Sequence, residues 1–189
     1  MTSLRIAQDP TADRVLSESS FALLVGMMLD QQFPMERAFA GPAKVLERFG
    51  SLDPAAVAAA DPEEFAALCA TPPAVHRFPG SMAARLQQLA AIVVDVYGGH
   101  TERLWEEAGD GAELVSRLQA LPGFGRQKAQ IFTALLGKQL GVRPAGWERA
   151  AGDYAEPGSH RSVADVVDQT SLDRVRAFKQ DQKKAASRA

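Results

Sequence analysis

Two glycines and two cations lie close together between two segments of helical apolar spacing, in residues 121–128. Gly123 and Gly125 allow positive φ angles and let backbone N–H groups approach a bulky ligand closely. The helix that follows begins with unpaired N–H donors and the positive end of its dipole, which favour an anion such as phosphate. Arg126 and Lys128 add formal positive charge at the same place. The spacing therefore predicts an anion-binding hairpin between two helices.

The composition limits the kinds of site to which this hairpin can belong. With 189 residues, 46% of them hydrophobic, the chain is expected to form one domain with a buried core. The single cysteine, Cys69, excludes a disulfide framework and a four-cysteine metal or iron–sulfur site, and is expected in the core. The three histidines are too far apart in the sequence for metal-ligand spacing. We therefore expect no metal and no cofactor.

The distribution of charge matters more than its total. A net charge of −2 argues against nonspecific coating of nucleic acid but allows a local basic surface. No apolar run is long enough to cross a membrane and no signal peptide is visible, so we expect a cytoplasmic protein, associated with the nucleoid when bound to DNA. The cations concentrate near the hairpin and in the final segment: Arg126, Lys128, Lys138, Arg143, Arg174, Arg176, Lys179, Lys183, Lys184 and Arg188.

Apolar residues recur at helical intervals almost throughout the chain. Period-two alternation is absent apart from residues 4–7, which could be a short extended piece. The pattern predicts an all-α fold of about ten helices. A helix is expected to begin near Ser17, a second to run from Pro34 to about Arg48, and Gly41-Pro42 should kink or split the second. Further helices are predicted after Asp53-Pro54, after Asp61-Pro62, over residues 81–97 and over residues 101–108.

The pattern weakens beyond Gly141. Two capping boxes, Ser162 with Asp165 and Thr170 with Asp173, predict further helix starts, and the tail after Lys179 should fray. We expect a single domain over residues 1–189. Its parts are a motif-bearing core at about 20–140, a C-terminal helical segment at 145–181 and a frayed basic tail at 182–189.

The hairpin and a second segment, Leu24–Gln32, together resemble the helix-hairpin-helix (HhH-GPD) DNA glycosylase superfamily, of the endonuclease III-like kind without the iron–sulfur cluster. The resemblance covers roughly residues 20–140. It implies a helical glycosylase fold, an extruded base and a Gln32 side chain that fills the gap in the base stack, with Gln31 as the fallback. It also implies DNA backbone contacts in the hairpin, at Gly123, Phe124, Gly125, Arg126 and Lys128.

Two departures from the superfamily pattern concern the catalytic groups. The bifunctional members carry a lysine at the second position after the last hairpin glycine, where this chain has Gln127. Lys128 comes one residue later, which rotates it by about 100° on a helix and predicts a side chain at phosphate or solvent. The superfamily's catalytic aspartate is expected near Ala145, where none stands. Glu148, Asp153 and Asp165 are the nearest carboxylates.

Each of these candidates also has a plain structural interpretation. Asp165 completes a capping box, and it would equally suit a carboxylate that stabilises charge on the sugar or activates water. Glu148 neighbours Trp147, which could line a base pocket or pack in the core. Asp153 ranks third. Asp30 is interpreted as a solvated residue at a helix end.

These observations favour a monomeric base excision repair glycosylase that acts on duplex DNA carrying a damaged or mispaired base. The candidate catalytic residues are Asp165, Glu148 and Lys128, and a monofunctional enzyme is favoured over a bifunctional lyase. The alternative is a non-catalytic module that binds bent or damaged DNA. A third interpretation, a helical protein-interaction domain, predicts no DNA affinity and no dependence on salt.

Overall fold

The computed structural model describes residues 3–188, and within them it contains helices and turns but no strand. The predicted all-α fold is therefore confirmed. The predicted domain range also included residues 1, 2 and 189, which lie outside the described part. The α-helices are α1 Pro10–Glu18, α2 Ser20–Leu29, α3 Met35–Phe49, α4 Pro54–Ala59, α5 Pro62–Ala70, α6 Pro79–Tyr97, α7 Arg103–Glu106, α8 Gly111–Gln119, α9 Arg126–Gln139, α10 Trp147–Ala151 and α11 Gln169–Ser187.

The N-terminal region contains one helix more than the apolar pattern predicted. Helix α1 begins with the same Asp-Pro signal as α4 and α5, because the Asp9 side chain accepts a hydrogen bond from the amide of Ala12. Helix α2 is a separate element capped by Ser19, so the predicted start near Ser17 was wrong. Every residue of α2 from Phe21 to Leu29 is buried, which explains why this helix is apolar on all sides.

Helix α3 runs unbroken through Gly41-Pro42, so the predicted split does not occur. A side chain at Gly41 would meet Leu29 of α2 at 2.5 Å and Val75 at 3.3 Å. This close packing holds the helix together although Pro42 removes one of its internal hydrogen bonds. The packing also places the C-terminal end of α2 firmly against the body of the protein.

Helices α8 and α9 form the predicted hairpin, and α9 is its central element. Phe132, Ala134, Leu135 and Leu136 of α9 are completely buried. The indole of Trp147 in α10 packs so closely on Gly137 that a side chain there would overlap the ring. These contacts fix the direction of α9 and therefore the position of the hairpin at its N-terminal end.

The C-terminal region is more regular than predicted. A 3₁₀ turn at Val163–Asp165 confirms the Ser162 capping box. The second predicted box, Thr170 with Asp173, was wrong because Asp168 caps α11 together with Ser171. Helix α11 continues through Ser187 where fraying was predicted, although every residue from Gln180 to Arg188 is exposed. Within residues 3–188 no helix is both long and apolar enough to span a bilayer.

Candidate active site and nucleic-acid interface

The two hairpin glycines have different conformations. Gly123 has a φ of 81° and lies against Met28 and Arg85, so it needs both the left-handed conformation and the small size of glycine. Gly125 has a φ of −81° and stands at the start of α9, with no side chain capping that helix. A side chain at Gly125 would meet nothing within 4 Å. The first amides of α9 are thus open to a ligand, whereas the prediction of positive φ holds for Gly123 alone.

Phe124 and Arg126, which neighbour Gly125, differ in environment, because Phe124 is buried and Arg126 is exposed. Phe124 is 5% exposed and packs edge-on against Phe132, with ring centroids 6.2 Å apart. It therefore fixes the turn from the inside and does not form part of the open surface. Arg126 is exposed at the first position of α9, beside the open amides. Anion binding by these amides and by Arg126 stays a prediction.

Lys128 faces inward, contrary to the expectation that it points at phosphate or solvent. Its ammonium donates a hydrogen bond of 3.1 Å to the carbonyl of Met28, at the C-terminal end of α2, and lies 5.8 Å from the ring centre of Phe124. The predicted rotation of about 100° between Gln127 and Lys128 holds, but the side of α9 assigned to Lys128 was wrong. Gln127 turns to the other side of α9, where its amide donates to the hydroxyl of Tyr154 at 2.9 Å. Lys128, the next residue, therefore faces α2.

A cleft of about 770 Å³ opens where the end of α2, the start of α9 and the side of α11 meet. Asp30 and Lys128 line it, and α11 contributes Lys179 and Lys183 from the opposite side. A contact across its rim joins Arg176 of α11 to Glu36 of α3 in an ion pair. The cleft therefore combines carboxylates and cations in a space that could hold a nucleotide.

Burial shifts the pKa values of both central groups in this cleft. Desolvation raises the pKa of the half-buried Asp30 carboxyl, the charges of Lys179 and Lys128 oppose that rise, and Glu36 adds to it. Desolvation lowers the pKa of Lys128 from the ordinary 10.5 to about 8, although Asp30 works in the other direction. Asp30 is therefore not the freely solvated residue that the sequence suggested. A carboxylate and an amine with oppositely shifted pKa values are an arrangement suited to acid–base chemistry.

The two glutamines in the turn after α2 differ, because Gln32 is exposed whereas the side chain of Gln31 is hydrogen-bonded within the protein. The Gln31 side chain donates to the carbonyl of Met28 at 2.7 Å and accepts from Arg85 at 3.1 Å. Gln32 is exposed and has a φ of 51°, a left-handed conformation that is uncommon outside glycine. Behind the turn, Nδ1 of the buried His76 accepts from the amide of Phe78 at 3.0 Å, so its Nε2 donates to the carbonyl of Gln31 at 2.9 Å. The turn is thus fixed from behind, with Gln32 outermost.

Comparison with protein-family models adds a match over residues 25–189, to the HhH-GPD superfamily of base excision DNA repair proteins. The chain belongs to the HhH-GPD superfamily. Comparison with the curated proteins found no match. The family match extends from α2 through the hairpin to α11, so it includes every element that lines the cleft of this HhH-GPD protein. It shows a base excision DNA repair protein and leaves open the base on which it acts.

The two carboxylates predicted to be catalytic in this HhH-GPD protein, Asp165 and Glu148, do not line the cleft. Asp165, whose side chain is 5% exposed, accepts a hydrogen bond of 2.6 Å from Lys138, near the other end of α9. It also accepts from the amide of Arg161 and from Ser159. Ten residues separate Lys138 from Lys128, which corresponds to about 15 Å along the helix. Asp165 is therefore fully engaged at a distance from the cleft.

Glu148, Asp153 and Trp147 gather around a separate groove of about 720 Å³ at that end of α9. The indole of Trp147 is 8% exposed and packs on Gly137, which corresponds to the core interpretation of this residue. Glu148 and Asp153 are both exposed. Roles for these residues in catalysis or base binding stay predictions, and the structure does not bring them to Gln32 or to Lys128.

Sequence reasoning missed Asp30 and the cations of α11 as parts of the cleft. One signal for Asp30 was available, because a carboxylate immediately after a wholly apolar helix opposes the negative end of the helix dipole. An ionisable residue in so unfavourable a position requires a reason. No comparable signal marks Lys179, since its place in the cleft depends on the direction that α11 takes after Asp168.

Proposed function

We propose that this HhH-GPD protein is a DNA glycosylase that hydrolyses the N-glycosidic bond of a damaged or mispaired base extruded into the Asp30–Lys128 cleft. The observation that carries the proposal is the pairing of a desolvated carboxyl, with a raised pKa, and a lysine whose pKa is lowered to about 8 in one cleft beside the hairpin. A raised pKa makes the Asp30 carboxylate a stronger base, and a lowered pKa makes the Lys128 ammonium a stronger acid, which suits proton transfer.

In the proposed reaction Asp30 is the base and Lys128 the acid. A water oxygen forms a bond to C1′ while its proton passes to the Asp30 carboxylate. The C1′–N bond breaks, and its electron pair stays on the nitrogen of the departing base. That nitrogen takes a proton from the Lys128 ammonium, and the amine is later reprotonated from solvent. The negative charge of Asp30 also stabilises positive charge that develops on the sugar.

The rest of the surface supports the binding of duplex DNA. The open amides at Gly125 and the charge of Arg126 suit one phosphate and hold the backbone without reading sequence. Gln32, exposed on a turn that is fixed from behind, suits a wedge that enters the base stack when a nucleotide leaves it. Gln31 is less suited to that role because its side chain is already hydrogen-bonded at both ends.

A second candidate activity uses the same lysine as a nucleophile. A pKa of about 8, compared with 10.5, raises the fraction of neutral amine at pH 7 by about 300-fold. The neutral nitrogen would attack C1′ directly, displace the base and leave an imine between Lys128 and the opened sugar. Such a bifunctional enzyme could cleave the DNA strand, whereas the hydrolytic one leaves an abasic site.

Base release from duplexes carrying a panel of damaged and mispaired bases tests the proposal. We expect release by the native chain, and Asp30→Asn should lower the rate by about 10²–10⁴-fold. Asp95→Asn removes an exposed carboxylate that lines neither the cleft nor the groove around Glu148, and it serves as the matched control. Reduction with borohydride during turnover separates the two activities, because only the imine yields a covalent protein–DNA adduct. Binding without base release from any duplex would instead support the non-catalytic module.

A further inference from the structure

A second pocket lies on the other side of the Gln32 turn. Gln32, Phe33 and Arg77 line both this pocket and the cleft, so the turn forms a ridge between them. The second pocket has a volume of about 830 Å³, and its remaining cations are Arg37 and Lys44. No carboxylate of the described residues lines it, whereas Asp30 and Glu36 line the cleft. We call this space the cationic pocket.

The charges of the cationic pocket are not neutralised from within. The ammonium of Lys44 donates to the carbonyl of Ala74 at 3.3 Å, and its pKa is lowered by desolvation and by the nearby charges of Arg48 and Arg37. Arg77 lies over the ring of Phe78, 5.2 Å from its centre, and remains exposed. Burial lowers the pKa of His76, so this residue stays neutral and adds no charge. Three cations therefore surround one space that, within residues 3–188, no carboxylate lines.

We propose that the cationic pocket binds a backbone phosphate of the DNA strand opposite the one whose nucleotide enters the cleft. A side chain that fills a gap in the base stack lies between the two strands, so the surfaces on its two sides face different strands. The cleft, which holds the reactive groups, takes the damaged strand. The cationic pocket is then left for its complement, and three cations without a carboxylate suit a phosphodiester. This inference rests on the proposed function for the orientation of the DNA.

The experiment compares the double variant Arg37→Gln/Lys44→Gln with the native chain in DNA binding alone. Three DNAs carry the same non-hydrolysable abasic analogue: an intact duplex, a single strand, and a duplex whose opposite strand has neutral methylphosphonates across from the lesion. Arg103→Gln/Arg149→Gln is the charge-matched control, because both are exposed arginines that line neither space. Thermal unfolding verifies that each variant is folded, and Arg37→Gln alone replaces the double variant if needed.

We expect the double variant to bind the intact duplex about tenfold more weakly and to lose about one unit of the salt slope, since the contact with one phosphate is lost. Its affinity for the single strand should change less than twofold. Neutral methylphosphonates should weaken the native chain to the level of the variant and leave the variant unchanged. The inference would be overturned if the double variant lost as much affinity for the single strand as for the duplex. It would also be overturned if the variant still bound the methylphosphonate duplex about tenfold more weakly than the native chain does. Failure of base release would not affect this result, because only binding is measured.

Discussion

The two ends of helix α9 each bring a lysine near an aspartate, and the two arrangements are opposite in character. Near the C-terminal end, Lys138 and Asp165 form an ion pair of 2.6 Å, and hydrogen bonds from Arg161 and Ser159 complete the coordination of the carboxylate. At the N-terminal end, Lys128 donates to a backbone carbonyl and shares the cleft with Asp30 without a direct ion pair of the kind seen at Lys138. The same residue types thus serve different purposes within one helix.

The difference shows what separates a structural pair from a reactive one. A carboxylate that accepts several hydrogen bonds and a cation has no capacity left for substrate, and the folded state gains from its presence. Desolvated groups that keep shifted pKa values cost the folded state free energy and can exchange protons with a ligand. Desolvation of Asp30 and Lys128 costs the folded state free energy, which is a physical reason to assign the chemistry to the N-terminal end of α9.

Replacing each aspartate by asparagine gives the largest expected contrast. Asp165→Asn leaves Lys138 mostly buried without its counter-charge, and we expect a loss of about 3 kcal/mol in the free energy of unfolding at pH 7. Asp30→Asn removes a desolvated charge and should leave stability unchanged or slightly higher. Denaturant unfolding of both variants measures the difference. Equal losses at the two sites would show that Asp30 is as structural as Asp165.

Replacing Lys128 by methionine should stabilise the protein at neutral pH. The lysine's pKa is about 8 in the folded chain and 10.5 ordinarily, so its buried charge costs at most about 3 kcal/mol below pH 8. The carbonyl of Met28 keeps a donor in Gln31 after the substitution.

The pH dependence of this gain has a definite sign. Between pH 8 and 10.5 the folded native chain loses the Lys128 proton while the unfolded chain keeps it, so native stability rises with pH. The advantage of Lys128→Met should therefore shrink across that range. Denaturant unfolding at pH 7, 9 and 10.5 measures it. An advantage that is constant with pH would mean that Lys128 is not desolvated in the native fold.

The fold could be predicted largely from the sequence because its helices follow local rules. Asp-Pro starts, glycine stops and helical apolar spacing are short-range signals, and the structure confirms helices at most of the places they mark. The errors occurred where packing overrides local preference. Gly41-Pro42 stays within one helix because α2 lies tightly against it, and α11 continues past Lys179 although its residues from Gln180 to Ser187 are all exposed.

The site could be predicted only in part, because its chemistry depends on contacts between distant segments. The hairpin and the Leu24–Gln32 segment were found in the sequence, and family membership is confirmed by the match over residues 25–189. The direction of Lys128 depends on which face of α9 meets α2, and the environment of Asp30 depends on α11. Neither is encoded in local spacing. Asp165 was a candidate because a carboxylate at a helix start could face a pocket, but nothing local indicated that Lys138 already engages it.

A serine at Gly125 tests the open N-terminal end of α9 with the smallest expected effect. Gly125 has an ordinary φ of −81° and free space around it, so the serine fits without strain and its hydroxyl can cap the first amides of the helix. We expect the melting temperature to stay the same or rise, while affinity for duplex DNA falls about tenfold, since the hydroxyl occupies the place of a phosphate oxygen. Gly123→Ala is the contrasting variant, because its φ of 81° and its contact with Arg85 predict a loss of stability. Unchanged duplex affinity in a stabilised Gly125→Ser protein would mean that DNA does not bind at these amides, and that the open end of α9 serves the cleft alone.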